Sequence, residues 1–206
     1  MESKWAEDNL QTIRTLMERS AVYRLALAPI MLYSGSLGVI AASTGLAFHL
    51  DAIRPFCALW LAAAAMAVAG SFVLARRQAL KHQESFWTPP TRRVAQALSP
   101  SLTAGAIVGI VLSTGANDDG FTLLLACLWL LFYGCAIHAA GFFMARGIKV
   151  FGWVMIAGSS GFMAALALTQ GNLPLRAHWL MGIFFGGLHL AYGAYLYLTE
   201  KGKPEA

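Results

Sequence analysis

The sequence predicts an all-α integral membrane protein, a six-helix bundle carrying an N-terminal cytoplasmic amphipathic helix. Three observations lead there. The chain of 206 residues is 58% hydrophobic and only 12% charged, about half the charged share of a soluble domain. Apolar runs long enough to cross a bilayer, which takes roughly 20 residues, recur six times. These runs do not alternate as the strands of a membrane β-barrel would. Lipid then leaves only helix, because each backbone N–H and C=O must be satisfied within its own segment.

The opening "MESKWAEDNLQ" is acidic and polar and lacks the basic-then-apolar layout of a cleaved signal peptide. The first span is therefore expected to act as an uncleaved signal-anchor. Residues 6–23 read as the amphipathic helix. Leu10, Ile13, Met17 and Ala21 recur on one face, and Glu7 and Asp8 at the start with Arg19 near the end suit the helix dipole. Such a helix lies on the inner membrane surface. Alternatively it docks a cytoplasmic protein through Arg14, Met17, Glu18 and Arg19.

Spans are expected at about 25–48, 56–74, 94–114, 121–143, 151–168 and 179–198, within one membrane domain covering residues 1–206. The longest connector, 75–93, is basic. Pro89 and Pro90 interrupt any helix through it, and Trp87 is a candidate interface anchor. Its basic surroundings, with Arg76, Arg77, Arg92 and Arg93, fit anionic lipid at the cytoplasmic face or a protein partner. Thirteen of the fifteen Lys and Arg residues fall on the side of both termini, leaving Arg54 and Arg176 on the other. The positive-inside rule then places both termini in the cytoplasm. The net charge of +5 is spread over connectors, not gathered in a basic domain, which argues against nucleic-acid binding.

Two segments repeat at an offset of 70: Gly35 matches Gly105, and "FVLAR" (Phe72 to Arg76) matches "FFMAR" (Phe142 to Arg146). With "SGSLGVIAA" and "AGSSGFMAA" at Ser34 and Ala157, the pattern suggests three helical hairpins of one orientation.

No span carries Asp, Glu, Lys or Arg near its centre, where ion-coupled transporters place such groups. The intramembrane candidates are His138 and His189. Gly182, Gly186, His189 and Gly193 share one helical stripe, as do Cys127, Gly134, His138 and Gly141, so both imidazoles are expected to face neighbouring helices. Three roles compete: structural hydrogen bonding, a ligand cavity lined by His138, His189, Tyr133 and Tyr192, and bis-histidine haem b. Nothing else calls for a cofactor. Cys135 and His138 are too few for a metal site. No nucleophile elbow, zinc-protease helix or phosphate-cradling glycine loop is present, so no catalytic residue is assigned.

"LQTIRTLMERS" (Leu10 to Ser20), "RRVAQALSPSLTAG" (Arg92 to Gly105) and "GGLHLAYGAYLY" (Gly186 to Tyr197) resemble recurring segments of a family of small bacterial six-span membrane proteins of unknown function. In that family an "IRxxMERS"-like segment precedes the first span. The resemblance implies the bacterial inner membrane and the six-helix plan, and it implies no activity. The expected role is a non-enzymatic membrane-embedded accessory or sensor component acting through its cytoplasmic helix and basic loop, alone or as a homo-oligomer. A small-solute transporter or channel is the alternative, and a haem protein the second.

Overall fold

The computed structural model describes residues 26–81, 83, 85–115, 120–144, 146–171 and 173–201. The amphipathic segment with Arg14, Met17, Glu18 and Arg19 lies outside them. All regular elements among the described residues are helical, and six helices are long and apolar enough to cross a membrane. They are α1 (Ala26–Ala47), α2 (Ile53–Lys81), α3 (Pro89–Gly115), α4 (Gly120–Ala140), α5 (Arg146–Leu168) and α6. The last is α-helical over Ala177–Met181 and Leu188–Lys201, with a π-helical segment, Gly182–Gly187, between. The chain is an all-helical polytopic membrane protein.

The helices run further into the basic connector than hydropathy suggests. α2 continues through Arg76 and Arg77 to Lys81, and α3 begins at Pro89. Proline's missing N–H is harmless in a helix's first turn, so Pro89 and Pro90 open α3. Pro100, inside α3, has no N–H to give the carbonyl of Gln96, and that carbonyl accepts the Ser99 hydroxyl at 3.2 Å instead.

α1 and α5 end in the same way. His49 (φ 52°) and Gln170 (φ 50°) take left-handed conformations. Leu50 N–H then donates to Gly45 O at 2.9 Å, and Gly171 N–H to Leu166 O at 2.8 Å. This capping geometry favours glycine at the left-handed position, yet both positions carry side chains.

Helix contacts are made through glycine. α1 and α6 run antiparallel, with Gly35 against Leu190, Gly38 against Gly186, Ala42 against Gly182 and Leu32 against Gly193. A Cβ on Gly186 would come within 2.9 Å of the Val39 backbone nitrogen. α4 packs along α3 and α5 and also meets α2 and α6. Gly134 lies against Met155, and Gly152 against the His138 backbone. Elsewhere an aromatic ring of one helix rests on a glycine of the next: Tyr33 on Gly70, Trp129 on Gly109 and Phe184 on Gly158. Two of these rings also hydrogen-bond the helix they rest on. The Tyr33 hydroxyl donates to Met66 O at 3.1 Å, and Trp129 Nε1–H to Gly105 O at 2.8 Å.

The segments that match in sequence differ in structure. Phe72 to Arg76 is helical inside α2, whereas Phe142, Phe143 and Met144 form the turn after α4.

Gly186→Leu should destabilise the fold by roughly 1–3 kcal/mol, the usual cost of overpacking, seen as a lower thermal midpoint of the detergent-purified protein. His49→Gly should raise that midpoint, since it removes a strained left-handed side-chain position.

Candidate functional site

Three neighbourhoods hold the polar and aromatic side chains of the interior. The first lies where the α1–α2 and α5–α6 connectors meet. His178, fully buried at the start of α6, has both ring nitrogens engaged. Trp60 Nε1–H, which can only donate, gives its hydrogen to His178 Nδ1 at 3.1 Å. His178 Nε2–H therefore donates to Leu50 O, 3.0 Å away. The capping turn of α1 aims that carbonyl, and Gly45 makes room for the ring: a Cβ there would collide with the imidazole. Beside it Arg176 grips Asp51 with two parallel hydrogen bonds, Nε to Oδ1 at 2.9 Å and Nη2 to Oδ2 at 2.6 Å. The Arg176 hydrogen bonds hold the Asp51 carboxyl below the usual aspartate range, outweighing the opposing effect of burial. Arg54 Nε–H donates to Ser113 O at 3.1 Å and ties the start of α2 to the end of α3.

The second neighbourhood is the Tyr133–His189 pair. His189 is fully buried, and its Nε2 lies 2.6 Å from the Tyr133 hydroxyl. His189 Nδ1 is buried and has no hydrogen-bond partner among the described residues. Phe185, Phe151 and Tyr133 surround the imidazole at ring-centroid distances of 4.7, 4.8 and 5.4 Å.

The third is an apolar cleft of about 820 Å³ between α2 and α3, backed by α4 and α6. Its α2 wall is the small-residue stripe Ala64, Ala65, Val68 and Ala69, and Trp129 and Tyr133 of α4 stand behind. α3 turns its glycines to α4 and touches α2 only sparsely, which leaves the gap. Val68, Phe72 and Val73 are 61, 49 and 49% exposed, so the cleft opens sideways to the bilayer. Phe185 joins all three neighbourhoods: it lines the cleft, meets Trp60 at 6.3 Å and Tyr133 at 5.2 Å, and covers His189.

Of the four residues expected to line one cavity, the structure brings Tyr133 and His189 together. Tyr192 joins at one remove, its ring 5.4 Å from Phe151 and its hydroxyl over Gly147. His138 stands elsewhere. Its Nδ1 is 3.4 Å from Lys149 O, and its ring meets Phe142 and Trp153. Among the described residues His138 and His189 meet different rings, Phe142 and Trp153 for the one and Phe185, Phe151 and Tyr133 for the other. Neither histidine lines the cleft, although Tyr133 does. Arg76, Arg77, Arg92 and Arg93 are exposed on α2 and α3 at the end opposite the Asp51–Arg176 pair.

Sequence spacing places His189 on one stripe with Gly182, Gly186 and Gly193, and in the structure that stripe meets α1. The three glycines make the contact, and His189 turns to α4 and α5. Trp60, Phe185 and His178 carried no periodic signal. The one hint was that Asp51 and Arg176 carry opposite charges in short connectors of the same side.

Comparison with protein-family models, with curated proteins and with solved structures finds no match to this chain.

Tyr133→Phe should leave His189 Nε2 buried without a partner and lower stability by about 1–3 kcal/mol, read as a loss of thermal midpoint at neutral pH. Because the folded-state pKa of Asp51 is depressed, its contribution is complete above the unfolded aspartate value and is lost as pH falls through the folded one. Asp51→Asn should therefore lower the midpoint slightly at pH 7 and flatten its decline below about pH 4. The effect should be small, since both partners are over a third exposed.

Proposed function

We propose that this chain is a non-enzymatic sensor or accessory component of the bacterial inner membrane, with both termini cytoplasmic, which takes up an apolar molecule from the bilayer. The observation that carries this reading is the α2–α3 cleft. Its volume of about 820 Å³ falls within the range of small-molecule sites, which are concave and mostly apolar. It opens to lipid, where an apolar ligand already resides. The π segment gives the reading further support, because π segments inside α-helices often mark functional sites, and Phe185 of this one lines the cleft. The buried pairs Trp60–His178 and Tyr133–His189 bond to each other, which supports the non-enzymatic reading. Output would pass through the N-terminal amphipathic segment, with Arg14, Met17, Glu18 and Arg19, to a cytoplasmic partner.

A bilayer-soluble alkyl diazirine, photolysed with the full chain in membranes, tests the reading. Labelling should concentrate on the α2 segment from Trp60 to Val73 and on α3 around Ser101 to Ala106, and Ala65→Trp should reduce it severalfold. Labelling no stronger there than at Val150 and Val154, exposed on α5, would overturn it.

A further inference from the structure

We infer that the cleft holds one anionic phospholipid, its acyl chains between α2 and α3 and its phosphate at Arg76. The inference rests on the reading of the cleft as a site for an apolar molecule and names that molecule's class.

Shape argues first. From Trp60 to Val73 the α2 wall rises about 20 Å. Spread over that length, about 820 Å³ gives a mean cross-section of about 40 Å². A helix with its side chains is 10–12 Å across, roughly twice that area or more, so a helix from a second copy is not enclosed by the cleft and could only lie across its mouth. Extended hydrocarbon chains are slimmer and do fit. The lining agrees, since the walls are formed by alanine, valine, leucine and aromatic side chains with few polar atoms.

Charge argues second. The α2 lining positions Ala65, Ala69, Phe72 and Val73 continue by steps of three and four to Arg76, with Arg77 beside it. Side chains on a helix lean toward its N-terminus, so Arg76 leans back over the end of the cleft at Phe72. Both arginines are exposed, and neither has an ion-pair partner among the described residues. Arg92 and Arg93, early in α3, add positive charge at the same end. Guanidinium groups bind phosphate with charge-assisted hydrogen bonds. The opposite end of the bundle is unsuited to such a headgroup, because Arg176 is occupied by Asp51 and Arg54 by Ser113 O.

Native mass spectrometry of the full detergent-purified chain tests this, with phosphatidylglycerol and phosphatidylcholine of identical acyl chains offered in equal amounts. One retained lipid per chain is expected, with phosphatidylglycerol favoured roughly tenfold. The double variant Arg76→Gln/Arg77→Gln should bring the ratio near unity while phosphatidylcholine retention persists, and Arg76→Lys/Arg77→Lys should keep most of the preference. Ala65→Trp and, from the other wall, Leu102→Trp should each reduce retention of both lipids at least fivefold, with thermal midpoints reporting whether each variant folds. An unchanged preference in the glutamine variant overturns the headgroup assignment and leaves the apolar site standing. A wild-type chain that retains neither lipid overturns both readings. A lipid-free dimer that Ala65→Trp converts to monomer assigns the cleft to a second copy and overturns this one.

Discussion

In a bilayer, moving a leucine from lipid tails to a neighbouring helix gains no hydrophobic free energy, so helices are held by close contact and by hydrogen bonds that lipid cannot offer. The interior of this protein is organised by that constraint. Glycines on α1 and α6 bring their backbones together. Rings of Tyr33, Trp129, His178 and Phe184 each rest on a glycine of an adjacent helix, where a methyl group would already collide. Tyr33, Trp129 and His178 also hydrogen-bond across helices. Where no such seat exists the helices part. α3 presents Gly105 and Gly109 to Trp129 and has no equivalent toward α2, so the cleft follows from the same rule that closes the rest of the bundle.

The number and approximate extent of the spans were legible because one physical requirement, a long apolar run, determines them. The ends were less so. Hydropathy stops where charges begin, near Leu74, while the backbone of α2 keeps its hydrogen-bonded ladder to Lys81. The burial of His189 was legible from its glycine neighbours, and Tyr133 stood among the residues expected beside it; the direct bond between them joins positions 56 apart and no spacing rule specifies it. His178 stands at the end of a span, where a side chain ordinarily meets the polar surface. Its burial depends on Trp60, 118 residues away, and on a capping turn that aims the Leu50 carbonyl. Long-range pairings of this kind leave no periodic trace. The cleft was invisible for a related reason: it is a space between two helices, and the alanine run that forms its wall reads in sequence as ordinary span.

The two ends of the bundle differ in a way that bears on the function proposed for it. At the end carrying Asp51, connectors are short and polar groups are spent on one another: carboxylate on guanidinium, imidazole on indole and carbonyl, guanidinium on carbonyl. Ordering those groups fixes α1, α2, α3 and α6 against each other at that end. At the other end α2 and α3 carry exposed arginines on either side of the gap between them. A bundle tied at one end and parted along α2 and α3 can admit a molecule by small sideways motion of α3, where Pro100 already interrupts the hydrogen-bond ladder. Phe185 would feel such an arrival directly, since it forms part of the cleft wall and also covers His189. The π segment that holds Phe185 is a less favourable helix form than α. Phe185 joins the wall of the cleft to the packing of His189 against α4 and α5.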